Sequence, residues 1–547
     1  MSKKVKYLII GAGPAGLQMA YYLKKADLDY VIIEKNNTAG SFYKKFPIHR
    51  ELISINKKNN YYTEETFNMR HDWNSLLSED SSLKFTKYTD ELFPSADLLY
   101  KYLNDFSEKM KLNIIFNSVV KSVKKNSDGL FEVEIANAEP YLCEILMVGT
   151  GAVSQYMPEE IDGIENTIPY SAVSADKSFF ENKRVAVLGG GNSAFETANH
   201  IINVAAHVHV LIKSPLKMAY ETHFVGDLRT KYTTIFDMYQ LKSLHAILMP
   251  NLKKLTKLDN GVLKTNHEYD YPESKVKGTL KLSREYDYVI NCTGFNYTHQ
   301  NLFAPNTKPS TIENNKFYAL NENWESVNIP NMYFIGTTMQ AIDRQSASGF
   351  IHGYRYNIRT LSNLLLEKFE NIPYPNQKMP INPFNVFLDA LYTRFSIADS
   401  IFQLYGFLGD MLVFNEEEDC VEWYTDLPVD YIHKIKDENK KVLQLTLEFG
   451  FHKHPGKPSM QFLGPSDPHD TKNSAFLHPV IRYYHKGIES EFHFGDSLLG
   501  RWDMPHNEGG AIASYHVEFY NWMAEIFEIE KIPLDNIGEN PIFEKWD

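Results

Sequence analysis

Val5-Lys6-Tyr7-Leu8-Ile9-Ile10-Gly11-Ala12-Gly13-Pro14-Ala15-Gly16-Leu17 is the stretch that decides how this chain is read. An apolar, β-branched run stops at a glycine turn, and an amphipathic segment from Leu17 to Lys25 follows. A second apolar run, Tyr30 to Ile33, is closed by Glu34. Strand, glycine turn, helix, strand and acid, in that order, form a dinucleotide-binding unit. Gly11 makes the tight turn, Gly13 lets backbone approach a pyrophosphate, and Gly16 lets the helix pack close to the strand. Pro14 and Ala15 open a helix whose N-terminal N–H groups and dipole favour phosphate. Glu34 is placed to accept hydrogen bonds from a ribose diol.

The same order recurs downstream. Arg184 to Leu188 runs into Gly189-Gly190-Gly191-Asn192-Ser193-Ala194, a helix follows to about Asn203, and Val208 to Ile212 reads as a strand. Here the second strand ends in Lys213-Ser214 rather than an acid. A carboxylate would repel a 2′-phosphate, whereas an ammonium and a hydroxyl would hold it. Lys217 and Arg229 are further candidates for that contact. The asymmetry predicts FAD in the first unit and NADPH in the second. A chain that binds both is most simply a hydride relay from nicotinamide to flavin.

The rest of the sequence narrows what lies beyond the flavin. The chain has 547 residues, enough for several domains, with 43% hydrophobic and 23% charged residues. Its net charge of −13 argues against nucleic acid as a partner. The longest apolar candidate, Tyr7 to Leu23, is broken by glycines, Pro14 and Gln18, so no membrane span is expected. The start leads from a few basic residues into a strand, with no small-residue cleavage site, and a cytoplasmic protein is the expectation. Only three cysteines occur, Cys143, Cys292 and Cys420, far apart in sequence. A disulfide framework, a cysteine-rich zinc site and a C-x-x-C dithiol are therefore excluded. A flavin that delivers electrons to a disulfide needs a nearby dithiol, and oxygen needs none. No G-x-S-x-G elbow, H-E-x-x-H or Walker lysine is present, so hydrolase and kinase readings have no starting point.

Pro373, Pro375, Pro380 and Pro383 mark a domain boundary. Beyond it, Phe387 to Leu412 reads as a helical apolar pattern and Val442 to Phe451 as a β-rich run. Eight of the 19 histidines lie late, at His452, His454, His469, His478, His485, His493, His506 and His516. His452 and His454 would share one face of a strand, but no third ligand stands at a diagnostic spacing, so no metal site is assigned. A polar lid or substrate wall is the better reading of the group.

The pattern resembles the flavin-containing monooxygenase group of flavoproteins. Gly40-Ser41-Phe42, then Phe46-Pro47-Ile48-His49-Arg50 and Ser54, look like its flavin-lining segment. Gly149-Thr150-Gly151 with Pro158 and Gly163 is similar to its hinge, and Lys183-Arg184-Val185 leading into Gly191-Asn192-Ser193 to its second nucleotide motif. Tyr170 to Asp176 lacks the glycine and histidine that group places before this motif. A closer likeness is to the FAD-dependent oxidoreductase domain-containing type of endoplasmic-reticulum-associated-degradation flavoproteins. Four segments carry it: Leu52 to Lys57, Arg70-His71-Asp72-Trp73-Asn74-Ser75-Leu76-Leu77, Thr222 to Leu228, and Gly349-Phe350-Ile351-His352-Gly353-Tyr354-Arg355-Tyr356. Phe476-Leu477-His478-Pro479-Val480-Ile481 extends it toward the C-terminus.

The expected fold class is α/β, with two Rossmann-like domains and a C-terminal α+β extension. The FAD domain is placed at 1-165 and 286-372, the NADPH domain at 166-285, and the extension or lid at 385-547. The resemblance implies an NADPH-dependent monooxygenase that oxygenates a soft nitrogen or sulfur of a small molecule through a C4a-(hydro)peroxyflavin. An NADPH oxidase or reductase, yielding hydrogen peroxide or feeding a redox partner, and a non-catalytic flavoprotein docking module are the alternatives. The expected partners are a small-molecule substrate and molecular oxygen, and a homodimer is admitted.

Asn56 and Asp72 are the candidate catalytic residues, Asn56 for a hydrogen bond to peroxide or nicotinamide and Asp72 with Trp73 as pocket wall. Lys35, Arg50, Ser54, Val120, Thr150 and Gly151 are candidate cofactor residues. Gly336, Ser348 and Gly349 join them where a helix start could aim at the flavin.

Overall fold

The computed structural model describes residues 2–270, 279–299, 301–431, 439–450, 471–473, 476–505 and 513–532. The chain divides into two units. The first comprises Met1–Asn56, Leu76–Leu320 and Glu325–Gly349; the second comprises Lys57–Ser75, Asn321–Trp324 and Phe350–Asp547.

In the first unit, β1 (Lys3–Ile10), β2 (Tyr30–Ile33), β3 (Ile114–Ile115), β4 (Val120–Lys125), β5 (Phe131–Ile135) and β6 (Tyr141–Val148) form a sheet of order β3-β2-β1-β6-β5-β4. The strand Met332–Phe334 adds to β6 in parallel. The register sets Ile10 beside Ile33 and Val148, so three parallel strands end level with one another. All four residues of β2 and the last four of β1 are buried. Unbroken apolar runs of this kind suit parallel strands covered on both faces. Helix α1 (Pro14–Lys25) connects β1 to β2 and buries Leu17, Met19, Ala20 and Leu23. Helix α2 (Ala96–Lys109) starts where the Ser95 hydroxyl accepts the Asp97 N–H, and it buries Leu99, Tyr102, Leu103 and Phe106.

The first sheet is mixed, β4-β5 and β5-β6 being antiparallel; a second sheet in the same unit, all parallel, has the order β10-β9-β8-β11-β7. Its strands are β7 (Ile168–Pro169), β8 (Arg184–Leu188), β9 (His207–Leu211), β10 (Ala246–Leu248) and β11 (Tyr288–Asn291). Leu188 sits beside Leu211 and Asn291, so these strand ends are level too. Helix α3 (Asn192–Ile201) connects β8 to β9. An antiparallel sheet of Asn251–Lys257, Leu263–Asp270 and Thr279–Tyr286 lies between β10 and β11 in sequence.

The second unit holds α4 (Ile351–Glu370), α5 (Phe384–Ile397) and a six-stranded antiparallel sheet, and α6 (Ala513–Phe527) follows. The sheet order is β12-β14-β13-β15-β16-β17. Its strands are β12 (Asn376–Pro380), β13 (Leu408–Asn415), β14 (Cys420–Pro428), β15 (Val442–Phe449), β16 (Leu477–His485) and β17 (Ile488–His493). Its core packs Phe387, Leu391 and Phe395 of α5 against Leu412, Leu445, Ile481 and Trp502, with Phe519 and Met523 of α6. The architecture is thus the expected α/β one, two dinucleotide-binding sheets with an α+β C-terminal part.

Two features differ from the sequence reading. The pattern from Phe387 to Leu412 is not one helix: α5 ends at Ile397, Ala398 is extended, and β13 begins at Leu408. Seven consecutive residues of β13 are buried, so its apolar run has no period of two to announce a strand. The segment Lys57–Ser75 also belongs to the second unit. Arg355 of α4 holds it by donating to the carbonyls of Met69 (2.9 Å), Asp72 (2.8 Å) and Ser75 (2.8 Å) and to the Asp399 carboxylate (2.7 Å). Arg70 reaches the other way, to the carbonyls of Phe395, Ala398 and Gly500, and lies over the Phe402 ring.

Candidate functional site

The first sheet ends in a cradle. Gly11 has φ +104, a conformation that side chains disfavour, and a Cβ there would lie 2.5 Å from the Gly149 carbonyl oxygen. A Cβ on Gly16 would lie 2.0 Å from the Gly11 carbonyl oxygen, so the helix sits against the strand end only because that residue is glycine. Gly13 is different: around its Cβ position there is nothing within 4 Å. Its backbone, at φ −74 and ψ 177, is ordinary extended chain. The space above Gly13 is therefore open, and no side chain caps the N-terminus of α1.

Glu34 is buried and holds the turn from below. One carboxylate oxygen accepts the Ala12 N–H at 2.8 Å, and the other accepts the backbone and side-chain N–H groups of Asn36. Asn36 in turn donates to the Ser41 hydroxyl at 2.7 Å, and the Gly40 N–H donates to the Ala12 carbonyl. Gly336 closes the other side, where a Cβ would meet Ala15 at 2.8 Å. The structure thus gathers Gly11, Gly13, Pro14, Ala15, Gly16, Glu34, Gly40, Ser41, Thr150 and Gly336. The Thr150 hydroxyl is buried without a partner, the state expected of a group that a polar ligand completes.

Other candidates are placed differently. Arg50 donates to the Tyr43 carbonyl and pairs with Asp97 at 2.7 Å. Lys35 is exposed. Val120 opens β4 two residues after Ser118, whose N–H donates to the Glu34 carbonyl. Phe42 is exposed and Ser54 partly buried, while Gly151 has φ +63 and open space around its Cβ position. Gly349 packs on the Gln340 side chain, and the Ser348 hydroxyl donates to Asp343. Asp343 also takes the N–H groups of Gln345 and Ser346, a turn the sequence reading missed, though Asp followed three residues later by Ser is its signature.

Asn56 is fully buried and donates to the Thr89 and Glu91 carbonyls, while its Oδ1 has no partner. In the second unit the Asp72 carboxylate closes its own turn, accepting from the N–H groups of Asn74 and Ser75 and from the Ser75 hydroxyl. Trp73 stacks on His352 with ring centroids 4.0 Å apart.

The second cradle repeats the first. Gly189 has φ +130, with the Cys292 carbonyl oxygen 2.4 Å from a Cβ position, and Gly191 has nothing within 4 Å. Ala194 packs beneath Gly189. Asn192 joins this turn to a distant loop: its amide donates to the carbonyls of Gly226 and Asp227, and its Oδ1 accepts the Arg229 N–H at 2.9 Å. That brings Arg229 to the start of α3. Ser193 is partly buried in the same turn. Lys213 is 86% exposed and paired with Glu160 at 2.9 Å, and Ser214 beside it is exposed.

Among the described residues no cluster of three His, Cys, Asp or Glu side chains could hold a metal ion. His452 and His454 lie outside the described residues. His478 and His493 do meet, at 3.0 Å between ring nitrogens, and burial pushes His478 down to about 4. No helix among the described residues is long and apolar enough to cross a membrane.

Two sheets, one mixed and one parallel, each with parallel strands ending in an open glycine cradle at a helix N-terminus, have the form of a flavoprotein oxidoreductase of the two-dinucleotide class. The chain belongs to the pyridine nucleotide-disulphide oxidoreductase family, whose model matches residues 8–336. Among its relatives is the FAD-dependent oxidoreductase domain-containing protein 2 of Mus musculus, 31% identical and covering 98% of this chain and 83% of that protein. Two solved structures share the fold. A mutant flavin monooxygenase of Stenotrophomonas maltophilia aligns at a TM-score of 0.51 with 17% identity, over 66% of this chain and 98% of that one. The bacillithiol disulfide reductase Bdr of Staphylococcus aureus aligns at 0.50 with 18% identity, over 67% and 99%.

The cofactors are FAD and NADPH. The residues present fit them: open space at Gly13 and Gly191, uncapped N-termini on α1 and α3, and the unpartnered Thr150 hydroxyl.

Proposed function

We propose that this protein is an NADPH-dependent flavoprotein monooxygenase that oxygenates a soft nitrogen or sulfur of a small molecule. The observation that carries this reading is the state of the thiols. All three cysteines are free and buried. Burial raises the Cys143 thiol far above its ordinary range and Cys292 to about 12. Burial raises Cys420 as well, so the thiols are poorly suited to pass electrons to a disulfide, which supports oxygen as the acceptor. Free thiols also suit a reducing compartment.

In this reading residues 1-165 and 286-372 hold FAD, 166-285 hold NADPH, and 385-547 form the extension. Gly13 admits the pyrophosphate of FAD to the N–H groups of α1, Gly16 lets that helix pack against the strand end, and Glu34 orients the ribose. Gly191 does the same for NADPH, with Arg229 and Lys213 as cations for the 2′-phosphate. The Asn56 Oδ1 accepts one more hydrogen bond. When bound, FAD supplies two-electron transfer from NADPH and the activation of oxygen. The overall reaction balances as NADPH, a proton, oxygen and substrate giving NADP⁺, water and the oxygenated substrate.

The test reconstitutes the protein with FAD and supplies NADPH, isotopically labelled oxygen, and a panel of amines and sulfides. The reading expects one labelled oxygen atom in product per NADPH consumed. Quantitative release of hydrogen peroxide with every compound would replace it with the oxidase alternative.

A further inference from the structure

Helix α3 carries an acid on its buried face. Glu196 is 8% exposed, between Phe195 and Thr197, both fully buried. Its Oε2 accepts the Tyr170 hydroxyl at 3.3 Å, and that hydroxyl accepts the Ile48 N–H at 3.3 Å. The His49 backbone N–H also donates to the carboxyl. Oε1 is buried and has no partner. One residue on, the Thr197 hydroxyl meets His49 Nε2 at 3.3 Å, and the His49 ring stacks on His200 at 4.1 Å. The Tyr170 ring lies on Phe46 at 5.8 Å and meets Phe295 edge-on. Residues 46–49, which follow the first cradle, are thus fastened to the helix of the second cradle by one polar joint.

The groups facing this joint do not neutralise an anion. They are the hydroxyls of Tyr170 and Tyr232, the rings of His49 and His200, the Cys292 thiol near Thr197, and Glu51. Glu51 is held by Lys231 at 2.9 Å, and Arg229 faces Tyr232. Burial, with a smaller push from Glu51, raises Glu196 to about 8, against the Tyr170 and His49 donors. Burial and His200 lower His49 to about 3, so it is neutral. With Oε2 accepting from Tyr170, the proton sits on Oε1, where one unpartnered neutral hydroxyl costs less than a buried charge. An anion would leave Oε1 bare in a packed interior and could reach water only by parting the joint.

We propose that Glu196 is a proton-operated positioning residue: while it keeps its proton, residues 46–49 stay clamped to α3, and its ionisation releases them. The latch rests on the burial and contacts of Glu196 together with the upward shift that burial imposes on it; its link to turnover rests on the function proposed above, since both nucleotide-binding halves must be held together for hydride transfer.

The sign follows from linkage. The folded chain binds a proton that the unfolded chain has already released, so this contribution falls as pH rises from the ordinary carboxylate range to about 8. The experiment compares the full-length wild type with Glu196→Gln and Tyr170→Phe. It measures urea unfolding at about pH 6 and about pH 8, and the pH profile of NADPH oxidation. The folded-to-unfolded ratio of the wild type should drop roughly 50-fold more than that of Glu196→Gln over this interval. The wild-type rate should fall above about pH 8, and Glu196→Gln should lack that limb. Tyr170→Phe keeps the ring, removes a donor that favours the anion, and should move the limb upward; it serves also if Glu196→Gln does not fold. Identical pH dependence of stability in wild type and Glu196→Gln, or a limb unmoved in Tyr170→Phe, overturns the proposal. If the stability difference appears but NADPH is not oxidised at any pH, the latch stands and the functional reading falls.

Discussion

Gly13→Ala separates a residue kept small for a ligand from one kept small for the fold. Gly13 adopts φ −74 and ψ 177, which alanine adopts freely, and its new methyl would meet no protein atom within 4 Å. The apoprotein should be unharmed, or stabilised by about 0.4–1 kcal/mol through a less flexible unfolded chain. A phosphate resting on that position must retreat from the α1 N-terminus. Two charge-assisted N–H bonds at about 1.5–3 kcal/mol each are then lost, roughly 3–6 kcal/mol in all, which is about 10²–10⁴-fold in affinity. Gly16→Ala is the control: its methyl would lie 2.0 Å from the Gly11 carbonyl oxygen, so the fold itself should lose about 1–3 kcal/mol from overpacking. Titration of apoprotein with FAD by fluorescence quenching, beside thermal melts of both variants, distinguishes the two. Wild-type FAD affinity in Gly13→Ala, or a melting temperature lowered as far as in Gly16→Ala, would refute the reasoning.

Gly191→Ala should leave bound flavin and stability unchanged while raising the KM for NADPH at least about 100-fold, and steady-state kinetics on flavin-loaded protein decides it. Lys213→Ala and Arg229→Ala should each weaken NADPH about 10–100-fold with little effect on NADH. A variant that loses both dinucleotides equally does not act on the 2′-phosphate. Arg355→Met removes one partner of a pair buried on both sides and should cost about 3–5 kcal/mol in urea unfolding. A loss under about 1 kcal/mol would show that the carbonyls of Met69, Asp72 and Ser75 find other donors.

The two cradles were legible in sequence because each is a local device. Turn, helix start and strand end lie within a few residues, and the contacts that make Gly11, Gly16 and Gly189 obligatory are backbone contacts that the spacing implies. What sequence does not show is built from distant residues. Glu196 reads as one of several polar positions on α3, and only the fold brings it to Tyr170 and His49, from different parts of the chain. Lys213 was legible as a cation at a strand end, but its pairing with Glu160 was not. Leu408–Leu412, the first residues of β13, read as a continuation of the helical pattern because burial of consecutive residues erases the alternation that marks a strand. The assignment of Lys57–Ser75 to the second unit depends on Arg70 and Arg355, whose guanidinium groups reach carbonyls hundreds of residues away.

That last arrangement bears on how the protein can be cut or inherited. The chain enters the second unit at Lys57, leaves at Leu76, touches it again at Asn321–Trp324, and returns for good at Phe350. A fragment starting after Pro383 would keep Asp399 but lose Arg355, stranding a carboxylate in an interior built around its partner. Deleting the C-terminal half would likewise leave the excursion at 57–75 with nothing to fasten to. No single scission yields two self-sufficient halves, so shuffling at one junction could neither have added the C-terminal part intact nor removed it cleanly.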